Sequence, residues 1–232
     1  MATLKKGDFV EIEYTGTIKT ENIIFDTTDE TKAKELKIHN PNMNYGPITI
    51  CIGEHQVIKG IDDQLIGKET EKSYKLEIKP EDGFGKKNAK LLKIVPISLF
   101  RKQNITPIVG LQVTIDGVLG TVRSVTGGRV VLDFNHPLSG RDLVYDIKVH
   151  NIVRDKKRQL ESYLKLTLGL KEIEISIVND EARIILPSEL PGKEKDNLTK
   201  KLTELVKLNK IEFLKKEQPK PEVKKEEKSE KN

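Results

Sequence analysis

The chain has 232 residues, of which 36% are hydrophobic and 33% charged, with no Trp. Several modest cores joined by polar segments fit those proportions better than one large apolar core. The net charge of +5 is a small difference between 41 basic and 36 acidic side chains, so no nucleic-acid partner is expected. A single cysteine, Cys51, excludes an internal disulfide framework and a Cys-based zinc cluster. The first residues lack the apolar stretch of a signal peptide, and no apolar run is long enough to span a bilayer. A reduced, cytoplasmic protein without a membrane partner is the expectation.

Val10, Ile12 and Tyr14 alternate with Glu11 and Glu13, the period of a strand with one buried face. Thr15-Gly16 reads as the start of a reversal, after which Ile23-Ile24-Phe25 resumes an apolar run. Residues 26 to 47 are polar and read as a long excursion at a sheet edge, with one helical turn around Thr31 to Leu36. Ile48, Ile50 and Ile52 mark another strand, ending at Gly53. The period then changes: Ile58, Ile61 and Leu65 share one face of a short helix over residues 58 to 66, with Gly67 as its left-handed cap. A helix this short has no stability of its own and must lie across a sheet. Tyr74, Leu76 and Ile78 restore strand alternation before Pro80 and a Gly83-Phe84-Gly85 turn.

From Lys86 the pattern is that of a small β-rich module. Leu91 to Val95 and Leu111 to Ile115 read as strands, Ser98 to Asn104 as a helical turn, and Asp116-Gly117 and Gly127-Gly128 as hairpin turns. Leu143 to Val149 alternates again and closes the first sheet if residues 86 to 136 are an insertion into a discontinuous domain. Leu160, Tyr163, Leu164 and Leu168 then form a helical stripe. Ile173 to Ile177 and Ala182 to Leu186 read as strands, Leu198 to Val206 as a second amphipathic helix, and Ile211 and Phe213 as a closing strand. Residues 216 to 232, rich in Lys and Glu, have nothing to pack with and are expected to be disordered.

No phosphate loop, paired-glycine fingerprint or HExxH is present. Instead, large apolar residues stand beside turns and strand ends: Tyr14 before Thr15-Gly16, Phe25 before Asp26, Val57-Ile58 after Gly53, and Phe84 between two glycines. That placement suggests an apolar cleft at a sheet edge.

Five segments carry a resemblance. They are Val10 to Gly16; Ile24-Phe25-Asp26-Thr27; Gly53 to Ile61; Pro80 to Gly85; and Asn135-His136-Pro137-Leu138-Ser139-Gly140-Arg141 running on to Tyr145. In that order, and interrupted where they are, they resemble the FK506-binding-protein family of peptidyl-prolyl cis-trans isomerases. The form is the one with a domain inserted in the flap, as in the bacterial SlyD proteins, and is closest to the long archaeal members that add a C-terminal domain. The resemblance implies an α+β chain: a curved antiparallel sheet around a short helix, an inserted mostly-β domain and a C-terminal α-β-β-α-β domain. The implied boundaries are 1–85 and 137–153 for the isomerase domain, 86–136 for the insert, 154–215 for the C-terminal domain and 216–232 for the tail.

By the same resemblance, Tyr14, Phe25, Asp26, Val57, Ile58, Ile61, Phe84 and Tyr145 fall on substrate-binding positions, with Tyr14, Asp26 and Phe84 closest to catalysis. Ile61 stands where the family often has Trp, and Phe84 where it usually has Tyr. Phe84 has no hydroxyl to donate to a bound carbonyl, which counts against tight macrolide binding. The implied activity is X-Pro isomerisation in unfolded or partly folded proteins, with no cofactor and with chaperone activity from the insert. The alternative is a non-catalytic peptide-binding holdase. Ile94, Val95, Ile97, Leu99, Phe100, Ile105, Ile108, Val109 and Leu111 are candidate client contacts of the insert. The C-terminal domain has two readings, self-association or a second client surface, and the residues do not choose between them. His39, His55, His136 and His150 are dispersed and suggest no metal site.

Overall fold

The computed structural model describes residues 2–170 and 172–216. The expected disordered tail therefore lies outside the described residues, apart from Lys216. Two compact units divide at Val153 and Arg154, and none of the described helices is long and apolar enough to cross a membrane.

In the first unit, the strands β1 (Phe9–Ile18), β2 (Ile23–Thr27), β3 (Ile48–Cys51), β4 (Lys72–Ile78) and β9 (Leu143–Ile152) form one antiparallel sheet. Its order is β2-β1-β9-β4, with β3 also paired to β1. The chain turns back later than Thr15-Gly16: β1 continues to Ile18, and its register shifts between Gly16 and Thr17 where it meets β2. A bulge bends a strand without ending it, and the missing side chain of Gly16 leaves room for what packs there. Ile18 and Ile23 pair across the actual turn. Consequently Tyr14 and Phe25 lie within strands rather than at their ends.

Helix α2 (Lys59–Leu65) crosses this sheet and packs against β4. Ile61 and Leu65 are buried with Val10, Ile12, Ile50, Leu76, Ile78 and Ile147. Burying each large apolar side chain contributes about 1.5–3 kcal/mol, which offsets what a seven-residue helix lacks alone. Gly60 makes the close approach possible, since a Cβ there would stand 2.7 Å from Ile78 Cγ2. Gly67 takes the expected left-handed conformation, with φ +82°. The polar excursion carries α1 (Glu30–Glu35), capped by Asp29, and returns when the Gly46 N–H donates to the Thr28 carbonyl at 2.8 Å.

Between β4 and β9 lies a second sheet of order β5-β8-β7-β6, from β5 (Leu92–Pro96), β6 (Gln112–Ile115), β7 (Val118–Thr126) and β8 (Arg129–Asp133), with α3 (Ile97–Lys102). Asp116-Gly117 and Gly127-Gly128 join its hairpins, and all four of these residues have positive φ, as the tight turns require. The core is small: Phe100, Val122, Val130 and Leu132, flanked by half-buried Val95, Ile97, Ile105 and Leu111. Ile94, Leu99, Ile108 and Val109 are exposed. The neck is tied by Asn135, whose amide accepts from the Asn88 N–H at 2.8 Å and donates to the Asn88 carbonyl at 3.1 Å.

The second unit has the order α4 (Lys156–Leu168), β10 (Glu174–Val178), β11 (Glu181–Leu186), α5 (Gly192–Val206), β12 (Lys210–Lys215). β10 and β11 form a hairpin, and β12 joins β11 in parallel after the α5 crossover. Asp155 caps α4 by accepting from the Arg158 N–H at 2.7 Å, and Gly169 ends it in the left-handed region. Leu160, Leu164, Leu202 and Val206 from the helices are buried, as are Ile184, Ile211 and Phe213 from the sheet.

Candidate active site

Alternation along β1 turns Tyr14 to the same side as Val10 and Ile12, towards α2, and Phe25 and Tyr145 arrive there from β2 and β9. The phenol of Tyr14 and the ring of Tyr145 lie 5.8 Å apart, centre to centre. Phe25 meets Tyr145 edge-on at 5.8 Å and Phe84 edge-on at 6.4 Å. Such tilted arrangements are the preferred ones for aromatic rings. Gly16 sits beneath them: a Cβ there would lie 2.8 Å from Phe25 Cζ and 2.9 Å from Tyr145 Cε1.

Ile61 and Tyr145 form the floor, 2% and 3% exposed. Tyr14, Phe25, Val57, Ile58 and Phe84 are half-buried around it. Seven of the eight residues singled out from the sequence thus gather over one face of the sheet, and Asp26 joins them through its bond to Tyr14. The Tyr14 hydroxyl donates to Asp26 Oδ2 at 2.9 Å. Burial, then the negative charge and hydrogen-bond acceptance of Asp26, push the Tyr14 hydroxyl well above the usual phenol range. It therefore stays protonated and donates. Burial, and secondarily Asp26, act on Tyr145 in the same direction.

Val57 and Ile58 come from the loop between β3 and α2. The carboxylate of Asp62, 1% exposed, holds that loop. It accepts from the Gly53 N–H at 2.7 Å and the His55 N–H at 2.9 Å, with His55 Nδ1 3.2 Å away. Ile58 is the N-cap of α2, and its carbonyl accepts from the Ile61 N–H at 3.0 Å and the Asp62 N–H at 3.2 Å, so its own N–H stands before the first turn. Phe84 is carried past a 3₁₀ turn at Pro80–Asp82; the Gly85 N–H closes that turn on the Pro80 carbonyl at 2.7 Å, and Ser139 Oγ donates to the Phe84 carbonyl at 2.9 Å.

Sequence reasoning passed over three residues here. Asp62 follows Ile58 by four positions, so helical spacing already placed it on the inward face. Gly16 looked like a turn residue. His136, from the segment returning from the insert, lies flat on Phe84 with ring centres 4.5 Å apart and planes 2° from parallel; nothing in its spacing announced that contact. A cavity of about 690 Å³ shares Tyr14 with this recess and is otherwise lined largely by polar and charged residues, among them Glu13, Asp29, Lys32, Lys75, Asp146 and Lys148. Charged walls of that kind do not suit a prolyl ring.

Two family models match the chain. The one for FKBP-type peptidyl-prolyl cis-trans isomerases matches residues 1–99, and the one described as the FKBP26 IF domain matches residues 93–138. A short-type peptidyl-prolyl cis-trans isomerase of Methanocaldococcus jannaschii is 33% identical over 149 residues, covering 64% of this chain and 94% of that protein. The chain belongs to the FKBP-type peptidyl-prolyl cis-trans isomerase family. Similarity extends to a probable FKBP-type 16 kDa isomerase of Pseudomonas fluorescens, 26% identical over 60% of this chain and 97% of that one. It also extends to the FKBP-type isomerase SlyD of Vibrio cholerae, 31% identical over 44% of this chain and 53% of that one. Members of the FKBP-type family are isomerases, and the mixed α+β architecture described above is consistent with their fold plus extra domains.

Proposed function

We propose that the recess bounded by Tyr14, Phe25, Val57, Ile58 and Phe84 binds the prolyl residue of unfolded or partly folded chains and accelerates rotation about the X-Pro bond. That rotation is slow because twisting removes resonance from the C–N bond, at a barrier of about 20 kcal/mol. No bond to the substrate is made or broken, so no nucleophile or cofactor is required. The site has only to hold the twisted amide better than either planar form.

A twisted amide is less charge-separated than a planar one and loses less on leaving water, so an apolar recess favours it. Phe25, Val57, Ile61, Phe84 and Tyr145 hold the ring. The Ile58 N–H donates to a peptide carbonyl. Tyr14 and Asp26 form the polar element beside the rotating group, and Asp26 acts by charge and position, since no step calls for a base. The observation that carries this reading is the Tyr14–Asp26 hydrogen bond at the edge of an aromatic cluster.

Residues 86–136 supply the chaperone function, holding client chains on the exposed Ile94, Leu99, Ile108 and Val109. The test joins Gly85 to His136 by a short linker, keeping the His136 ring in place, and compares two substrates. Loss of catalysed protein refolding with retained activity on short Xaa-Pro peptides supports this division of labour. Equal retention of both contradicts it.

A further inference from the structure

Phe84 brings no polar atom to the recess, yet its ring is covered face to face by one that does. The imidazole of His136 lies parallel to Phe84, 4.5 Å between centres. Both rings are fixed from behind: Ser139 Oγ donates to the Phe84 carbonyl at 2.9 Å, and the Ser139 N–H donates to the His136 carbonyl at 2.9 Å. The Gly140 N–H donates to the Gly85 carbonyl at 2.8 Å, tying the two segments together.

A neutral imidazole carries one donor and one acceptor nitrogen. His136 Nδ1 accepts from the Leu138 N–H at 3.2 Å. That bond assigns the proton to Nε2, which meets no hydrogen-bond partner among the described residues. His136 is itself exposed, so a peptide that reaches Phe84 also meets the imidazole.

We propose that His136 is a substrate-binding residue of this site. Its Nε2–H donates to a carbonyl flanking the bound proline, the part a phenolic hydroxyl at position 84 would play, and its ring extends the wall that Phe84 begins. The donor is thus contributed by the segment that returns from the insert. This rests on the isomerase reading above.

Three variants test it on a short Xaa-Pro peptide in a protease-free assay: His136→Phe, which keeps a flat stacking ring without a donor, Phe84→Tyr, and the two combined. His136→Phe is expected to raise KM and lower kcat/KM about threefold to tenfold, the effect of one lost neutral hydrogen bond. Phe84→Tyr in the His136→Phe background is expected to restore most of that loss, which a purely stacking role would not allow. A second measurement needs no turnover: the His136 Nε2–H resonance is expected to shift when the peptide is titrated into the wild-type chain. A His136→Phe value within twofold of wild type, a loss the second substitution leaves uncorrected, or an unmoved resonance overturns the proposal. An inactive wild-type chain instead overturns the isomerase reading, and is seen before any variant is compared.

Discussion

The Tyr14 hydroxyl donates to Asp26 Oδ2 across the β1–β2 pair, at 2.9 Å. A phenol raised above its usual range remains a donor at neutral pH, and its acceptor is a carboxylate, so the bond is charge-assisted. Asp26→Asn keeps an acceptor but removes the charge beside the rotating amide. It is expected to lower kcat/KM on a short Xaa-Pro peptide about tenfold, the scale of a hydrogen bond to a charged group, while the urea midpoint moves little. Unchanged turnover would remove Asp26 from the mechanism.

The same burial has a consequence at alkaline pH. A tyrosine whose folded pKa is raised keeps its proton in the native state while the unfolded chain loses it. Stability is therefore full below the unfolded value, about 10, and falls as pH rises above it. The loss amounts to about 1.4 kcal/mol per pH unit for one such group. Urea unfolding of wild type and Tyr14→Phe is expected to show a gap that narrows from pH 9 to pH 11. A constant gap would contradict the assignment.

Gly16 is where the backbone of β1 touches two rings of the recess. A methyl group there overlaps Phe25 and Tyr145, both held in a packed aromatic cluster. Gly16→Ala is expected to cost about 1–3 kcal/mol of stability, as overpacking does, and to lower peptide isomerisation as Phe25 is displaced. Calorimetry and the peptide assay measure the two effects separately.

Asp62 holds the loop that presents Val57 and Ile58. Asp62→Ala leaves the Gly53 and His55 N–H groups without their acceptor and is expected to cost about 2–4 kcal/mol. Asp62→Asn keeps one acceptor oxygen and is expected to cost less. Native-state hydrogen exchange at the Gly53 and His55 amides should accelerate in both variants, more in the alanine variant.

Much of this architecture was legible in the order of residues. The alternation of Val10, Ile12 and Tyr14 and the helical spacing of Ile61 and Leu65 placed β1 and α2, because in each a single face is buried. Thr15-Gly16 misled because a glycine chosen for close ring contact looks the same as one chosen for a turn. Its role becomes visible only when Phe25 and Tyr145 are brought to it from other strands. Phe84 and His136 are far apart in the chain and adjacent only through the neck of the insert, so no local pattern could join them. The exposure of Ile94, Leu99, Ile108 and Val109 was equally unreadable from sequence, since the same residue types also build the insert's core.

The most direct measurement is cis-to-trans relaxation of a short Xaa-Pro peptide, followed without a coupling protease. Spontaneous relaxation takes roughly 10–100 s. The expected result is faster relaxation with the wild-type chain and a return close to the spontaneous rate with the Phe25→Ala, Asp26→Ala double variant. Equal acceleration by the two proteins would contradict the placement of catalysis in this recess.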